Sequence, residues 1–104
     1  KAATGSGFGG KPRPVLIIQA DAFETRSKLL VILIGSPVDD AADVRVAIMP
    51  DDQNNLRRPS HIMVDAILPV RPDQFGSRVG RLADSDMRRV EMALLLFLGI
   101  GGQP

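Results

Sequence analysis

The 104-residue chain has no cysteine, tryptophan or tyrosine, and it holds a single histidine, His61. Without cysteine there is no disulfide framework and no thiol chemistry, and one histidine leaves no His/Cys set for zinc. Neither a metal site nor a cofactor is expected. The aromatics reduce to four phenylalanines, 4% of the chain, so platforms on which bases stack are scarce. Long apolar runs are missing too: the longest, 92–98 with its flanks, falls far short of the roughly 20 residues needed to span a bilayer. No secretory signal is visible. The expected location is therefore the cytoplasm, with no membrane partner. Net charge is only +1, which does not mark a nucleic-acid binder. Domains of roughly 100–150 residues are the commonest size, so one domain, 1–104, with a single core is expected.

The charges that are present are unevenly placed. Asp39, Asp40, Asp43, Asp51 and Asp52 stand against Arg45 alone, whereas seven arginines, at 57, 58, 71, 78, 81, 88 and 89, crowd the later part of the chain. A two-signed surface follows. Its basic face suits the phosphates of a short RNA or the acidic tail of a protein partner.

Most of the chain reads as strands. Apolar, β-branched runs lie at 15–19 and 29–34, and "DVRVAIM" at 43–49 alternates. In that piece Val44, Val46 and Ile48 face one way and Arg45 and Ala47 the other, the period-2 mark of a half-buried strand. "HIMVDAILPV" at 61–70 is long enough for a bent strand, limited by Pro69. Turn signals at Gly35-Ser36-Pro37, Pro50-Asp51-Asp52, Asn54-Asn55, Arg58-Pro59-Ser60 and Arg71-Pro72-Asp73 fit these boundaries. The period then changes. A helix over 84–98 is expected, with Asp84 or Ser85 as N-cap and a stop at Gly99. Met87, Val90, Leu94 and Phe97 form its core-facing stripe, leaving Leu95 and Leu96 off it. Final turns that are apolar on more than one side call for a second surface, most simply a second copy of the chain. The fold class is mainly β with a C-terminal α-helix, a strongly curved antiparallel sheet closed by that helix.

Two glycine motifs mislead. "GSGFGGK" sets Gly5, Gly7 and Gly10 at dinucleotide-loop spacing, and Gly5 to Lys11 match the opening of a P-loop. Both motifs must run into a helix N-terminus, and the P-loop needs a Ser or Thr where this chain has Pro12. Here the segment runs into a strand. A flexible glycine-rich loop over 5–10, carrying Phe8, is the expectation.

The loop leads to "GGKPRPVLIIQAD", where Arg13 stands between two prolines. Proline fixes φ, and Pro14 also holds Arg13 towards extended geometry. This segment resembles the one with which the MazF/PemK family of toxin endoribonucleases enters its second strand. The resemblance continues in order through "VILIGS", "NNLRRPSHIMVDAILPV" and "GRLADSDMRRVEMALLLFLGI", over roughly residues 10–100. It implies an SH3-like small barrel of the CcdB/PemK type, a homodimer, and metal-independent cleavage of single-stranded RNA, mRNA included, at short sequences. It also implies a cognate antitoxin that neutralises the protein. The opening strand of such proteins is reduced here to "KAAT" at most, so an exposed sheet edge is expected.

The resemblance puts the active-site arginine at Arg13. A guanidinium suits that role: its planar fork matches phosphate oxygens and its charge does not titrate away. The family's second catalytic position is a threonine at the end of the next strand, replaced here by Gly35 or Ser36. Ser36 keeps a hydroxyl and is the second catalytic candidate, while Gly35 offers only its backbone N–H. Lys11, Arg57, Arg58 and Asp65 are the further substrate-binding candidates. Asp65 matches the acidic position of the family's "VD" segment, although Ala66 follows where glutamine is common. A lone histidine opening a strand, like His61, is more often structural than catalytic. Two alternatives stay open: a catalytically weakened member that binds RNA or antitoxin, and a CcdB-like gyrase poison, whose terminal tryptophan motif is replaced here by "LFLGIGGQP".

Overall fold

Valine, isoleucine and leucine fill the strand positions, and such side chains suit a pleated surface packed on a core. The computed structural model describes residues 3–5, 14–18, 28–35, 45–74 and 78–101. They form β1 (Ala3–Gly5), β2 (Val15–Ile17), β3 (Leu29–Gly35), β4 (Arg45–Ile48), β5 (Ser60–Val70), a 3-10 turn (Pro72–Gln74), β6 (Arg78–Arg81) and the helix α1 (Asp84–Leu98). One six-stranded sheet in the order β4-β5-β3-β2-β1-β6 results, antiparallel throughout. The main core lies on one of its faces, where Leu16, Ile32, Ile34, Val46, Ile48, Ile62 and Val64 meet Leu82 and Val90. A second cluster of Val15, Val31 and Val70 occupies the other face.

The opening strand is not lost: β1 is only three residues long, yet it pairs with β2 on one side and β6 on the other. Gly5 accordingly ends a strand, and positions 6–10 of the expected glycine-rich loop lie outside the described residues. Pro69 does not limit β5, because it sits within the strand opposite Leu30. It is tolerated there since β4 pairs with Ser60–Met63 only, so no ladder bond is lost on the outer side. The bend of β5 is marked by a register shift: Ile34 pairs with Ile62, but Ile32 with Ile67. Sequence reading places no strand at 78–81, and β6 exists through its partners rather than its own apolar content.

Those partners close the sheet. The Arg81 N–H donates to Gln53 O at 2.8 Å, and Asn55 Nδ2 donates to Val79 O at 2.9 Å. The turn after β4 thus takes up the edge of β6. This turn is built around Asn54, which is fully buried. Its Oδ1 accepts from the N–H groups of Asp51 (3.1 Å) and Leu56 (2.9 Å), and its Nδ2 donates to Met49 O (3.0 Å). Asp51 Oδ1 in turn accepts from Gln53 and Asn54 N–H at 2.8 and 2.7 Å. Asn55 adopts φ 54°, a left-handed conformation that asparagine tolerates. At the opposite edge of the sheet, Arg89 Nη1 donates to Ala47 O at 2.8 Å, covering part of β4.

The helix has the expected bounds, 84–98, but neither Asp84 nor Ser85 is its N-cap. Ala83, extended at φ −61° and ψ 149°, holds the N-cap position without a side-chain bond, while Asp84 and Asp86 lie in the first turn, where negative charge is favoured. Gly99 stops it at φ 68°, with the Gly99 and Ile100 N–H groups returning to Leu96 O (3.2 Å) and Leu95 O (3.0 Å). Val90 is buried, and Met87, Ala93 and Leu94 pack partly against the core. Phe97 leaves the stripe: it is exposed along with Met92, Leu95, Leu96, Leu98 and Ile100. Among the described residues, no helix is long and apolar enough to cross a membrane.

Candidate active site

Antiparallel pairing brings many strand ends to one end of the sheet. There β1, β3 and β4 finish and β2, β5 and β6 begin. Gly35, the last residue of β3, lies directly opposite His61, and His61 lies directly opposite Ala47. Side chains alternate along a strand, so Val31, Leu33 and Gly35 share the face away from the main core, and His61, Met63 and Asp65 continue it on β5. Arg45, opposite Met63, and Ala47 complete it on β4. The half of this face near β2 is apolar, and the half around Gly35 is polar.

Glycine at position 35 makes room for a neighbour. A Cβ there would lie 3.3 Å from Met63 Sδ and 3.4 Å from its Cε. A side chain at this position would crowd the end of Met63, which would have to shift by a few tenths of an ångström to admit it. Val15, at the start of β2, is opposite Leu33, two residues before Gly35. The chain therefore enters β2, through Pro14, at the Gly35 end of the sheet.

Of the residues expected at the site, Lys11, Arg13 and Ser36 lie outside the described residues. Gly35, Arg57, Arg58 and Asp65 are described. Arg57 and Arg58 are exposed in the bend that leads into β5, which Ser60 Oγ fixes by donating to Arg58 O at 2.9 Å. Asp65 is not a free carboxylate: its Oδ1 lies 3.5 Å from Arg45 Nε. Arg71, Arg81 and Arg89 likewise face Asp73, Asp84 and Asp86. Among the described residues this leaves Arg57, Arg58, Arg78 and Arg88 without an ion pair. Three of the four, Arg57, Arg58 and Arg78, stand at the Gly35 end. Arg78 escapes sequence reading because only its pairing opposite Gly5 carries it there.

The polar half of the face holds two further groups that sequence reading undervalues. Arg45 Nε and Nη1 and His61 Nδ1 are buried with no hydrogen-bond partner. The sign of Arg45 in the sequence was its place on the off-core side of an alternating strand. Among the described residues, no group of three or more metal-ligating side chains occurs.

Residues 2–98 match the family of PemK-like, MazF-like toxins of type II toxin–antitoxin systems. The chain is 42% identical over 101 residues to a probable endoribonuclease MazF of Mycolicibacterium smegmatis, covering 97% of this chain and 93% of that protein. Its fold is shared with a Mycobacterium tuberculosis toxin, MazF-mt6, at TM-score 0.77 and 22% identity, over 89% of this chain and 92% of the other. A mycobacterial endoribonuclease solved in complex with its cognate antitoxin superposes at TM-score 0.78 and 20% identity, over 95% and 92% of the two chains.

Proposed function

The chain belongs to the PemK-like, MazF-like toxins of type II toxin–antitoxin systems, and from that premise we infer that it is a growth-inhibiting endoribonuclease that cuts single-stranded RNA at selected sequences without a metal. The observation that carries this is the gathering of Arg57, Arg58 and Arg78, free of ion pairs among the described residues, at the end of the sheet where Gly35 lies. Unpaired cations at one end form a landing surface for a phosphate backbone. RNA brings its own nucleophile. The 2′-oxygen attacks phosphorus, the P–O5′ bond breaks, and a 2′,3′-cyclic phosphate and a 5′-hydroxyl result. The protein has to align these atoms, move two protons and stabilise the extra charge on the phosphorane.

Arg13 is assigned that last task. Ser36, the residue after Gly35, supplies the hydroxyl that the family's threonine provides, since Gly35 itself has only a backbone N–H to offer. Lys11, Arg57 and Arg58 hold flanking phosphates. A second reading, a member that binds RNA or antitoxin and cuts weakly, is favoured by one observation: position 35 is a glycine without the hydroxyl of the family's threonine, and a Cβ there would crowd the end of the Met63 side chain.

Incubating the protein with mixed-sequence single-stranded RNA in EDTA separates the readings. We expect undiminished cleavage leaving 5′-hydroxyl termini. Binding without cleavage selects the weakened member, and inertness towards RNA with gyrase-dependent DNA breaks overturns both. A cognate antitoxin competes for the same basic end, and its addition blocks RNA binding. The cytoplasm is where such a substrate is met.

The exposed apolar end of α1 is assigned to a homodimer contact. Leu95, Leu96, Phe97 and Leu98 of its last turn and Ile100 just beyond it are each 40% exposed or more, an apolar surface of the kind that a second copy covers. A Leu96→Glu, Leu98→Glu double variant should run as a monomer in light scattering after gel filtration, with its circular dichroism unchanged. A dimer that persists would remove this assignment.

A further inference from the structure

We propose that Arg45 and Asp65 form a base-reading subsite: together they hydrogen-bond the edge of one unpaired nucleobase beside the scissile phosphate and set part of the sequence selectivity. This rests on the ribonuclease reading above. The Arg45 side chain is 14% exposed and that of Asp65 37%. Arginine–carboxylate pairs that serve structure are frequently short and two-pronged. Here the contact is a single one of 3.5 Å through Nε, while Nε and Nη1 have no hydrogen-bond partner. Buried donors left unmet are costly, and each calls for a reason. His61 Nδ1, on the same face of β5, is orphaned in the same way. Two unsatisfied groups thus lie side by side on one patch that reaches Gly35. From β3 across β5 to β4 is two strand spacings, about 10 Å, within reach of a nucleotide next to the one being cut.

The chemistry selects a base over a phosphate. A phosphate approaching Arg45 also meets the Asp65 carboxylate, and like charges repel. A base edge carries acceptors and N–H donors next to each other, so it satisfies the guanidinium and the carboxylate together. Arginine paired to base acceptors and aspartate paired to base amino groups are established matches of geometry. Asp65, the more exposed partner, meets the base first.

The test maps cut sites on a random-sequence single-stranded RNA library for the parent protein, Asp65→Asn and Arg45→Gln. Both variants should still cut, and the preference at one position flanking the cut should weaken or change base by about 5- to 100-fold. Asp65→Asn keeps the shape of an exposed side chain and so decides the matter even where Arg45→Gln fails to fold. An unchanged cut-site preference in Asp65→Asn overturns the subsite and leaves the ribonuclease reading intact. A parent protein that cuts no RNA overturns that reading and the subsite with it.

Discussion

Replacing Arg13 with alanine should slow RNA cleavage by about 10²- to 10³-fold, the loss seen when one preorganised donor to a developing oxyanion is removed. The expectation follows from what the phosphorane requires. Attack by the 2′-oxygen adds negative charge to oxygens that already carry it. A guanidinium is the side chain that remains charged at every working pH and meets two oxygens at once. The flanking prolines, Pro12 and Pro14, stiffen the chain on both sides, so less conformational entropy is lost when the cation is positioned. The described start of β2, with Val15 opposite Leu33, brings the chain in at the Gly35 end, where the unpaired arginines gather. Arg13→Lys retains the charge but not the fork, and should fall between the parent and alanine. The comparison is made as single-turnover rates on one RNA, with melting temperatures measured alongside. A full rate in Arg13→Ala would return Arg13 to the role of an edge residue.

Why some of this was legible in the sequence and some not comes down to the range of the interactions. The alternation at 45–48 is a local property: Val46 and Ile48 are buried and Ala47 exposed, as period 2 demands. The helix over 84–98 is equally local, and Gly99 stops it for a reason visible in one residue. β6 has no such signature. It comprises two arginines, a valine and a glycine, and it is a strand only because β1 and the turn at 51–55 hold it from either side. Asn54-Asn55 reads as a turn, but nothing nearby in the chain shows that Asn54 is fully buried or that Asn55 reaches Val79, 24 residues away. The candidate site divides in the same way. Gly35 and Asp65 come from a resemblance in order and spacing, whereas the pairing of Asp65 with Arg45 exists only once β4 lies beside β5. Phe97 illustrates the converse failure: periodicity puts it on the core stripe one turn beyond Leu94, yet it is 46% exposed and does not join the core.

Gly80→Ala should cost about 3 kcal/mol, near the upper end for forcing extra atoms into a packed site, and should lower the melting temperature by about 12–24 °C for a domain of this size. The glycine is required by proximity and not by backbone conformation, since Gly80 is not among the glycines at positive φ. A Cβ on residue 80 would lie 2.3 Å from Gln53 O and 2.9 Å from Asn54 C and O. All three are backbone atoms, and the turn that carries them is pinned by the buried Asn54 side chain, so it has no cheap way to retreat. If it does move, the Arg81 N–H bond to Gln53 O and the Asn55 bond to Val79 O are lost, each worth about 1 kcal/mol. The sheet then opens between β6 and the 51–55 turn. Gly99 provides the control. It sits at φ 68° with nothing within 4 Å of a Cβ, so Gly99→Ala carries only the conformational cost of a left-handed alanine, about 1 kcal/mol. Thermal unfolding of the two variants side by side distinguishes the causes. Equal losses would mean that the turn at 51–55 yields freely and that closure of the barrel does not depend on it.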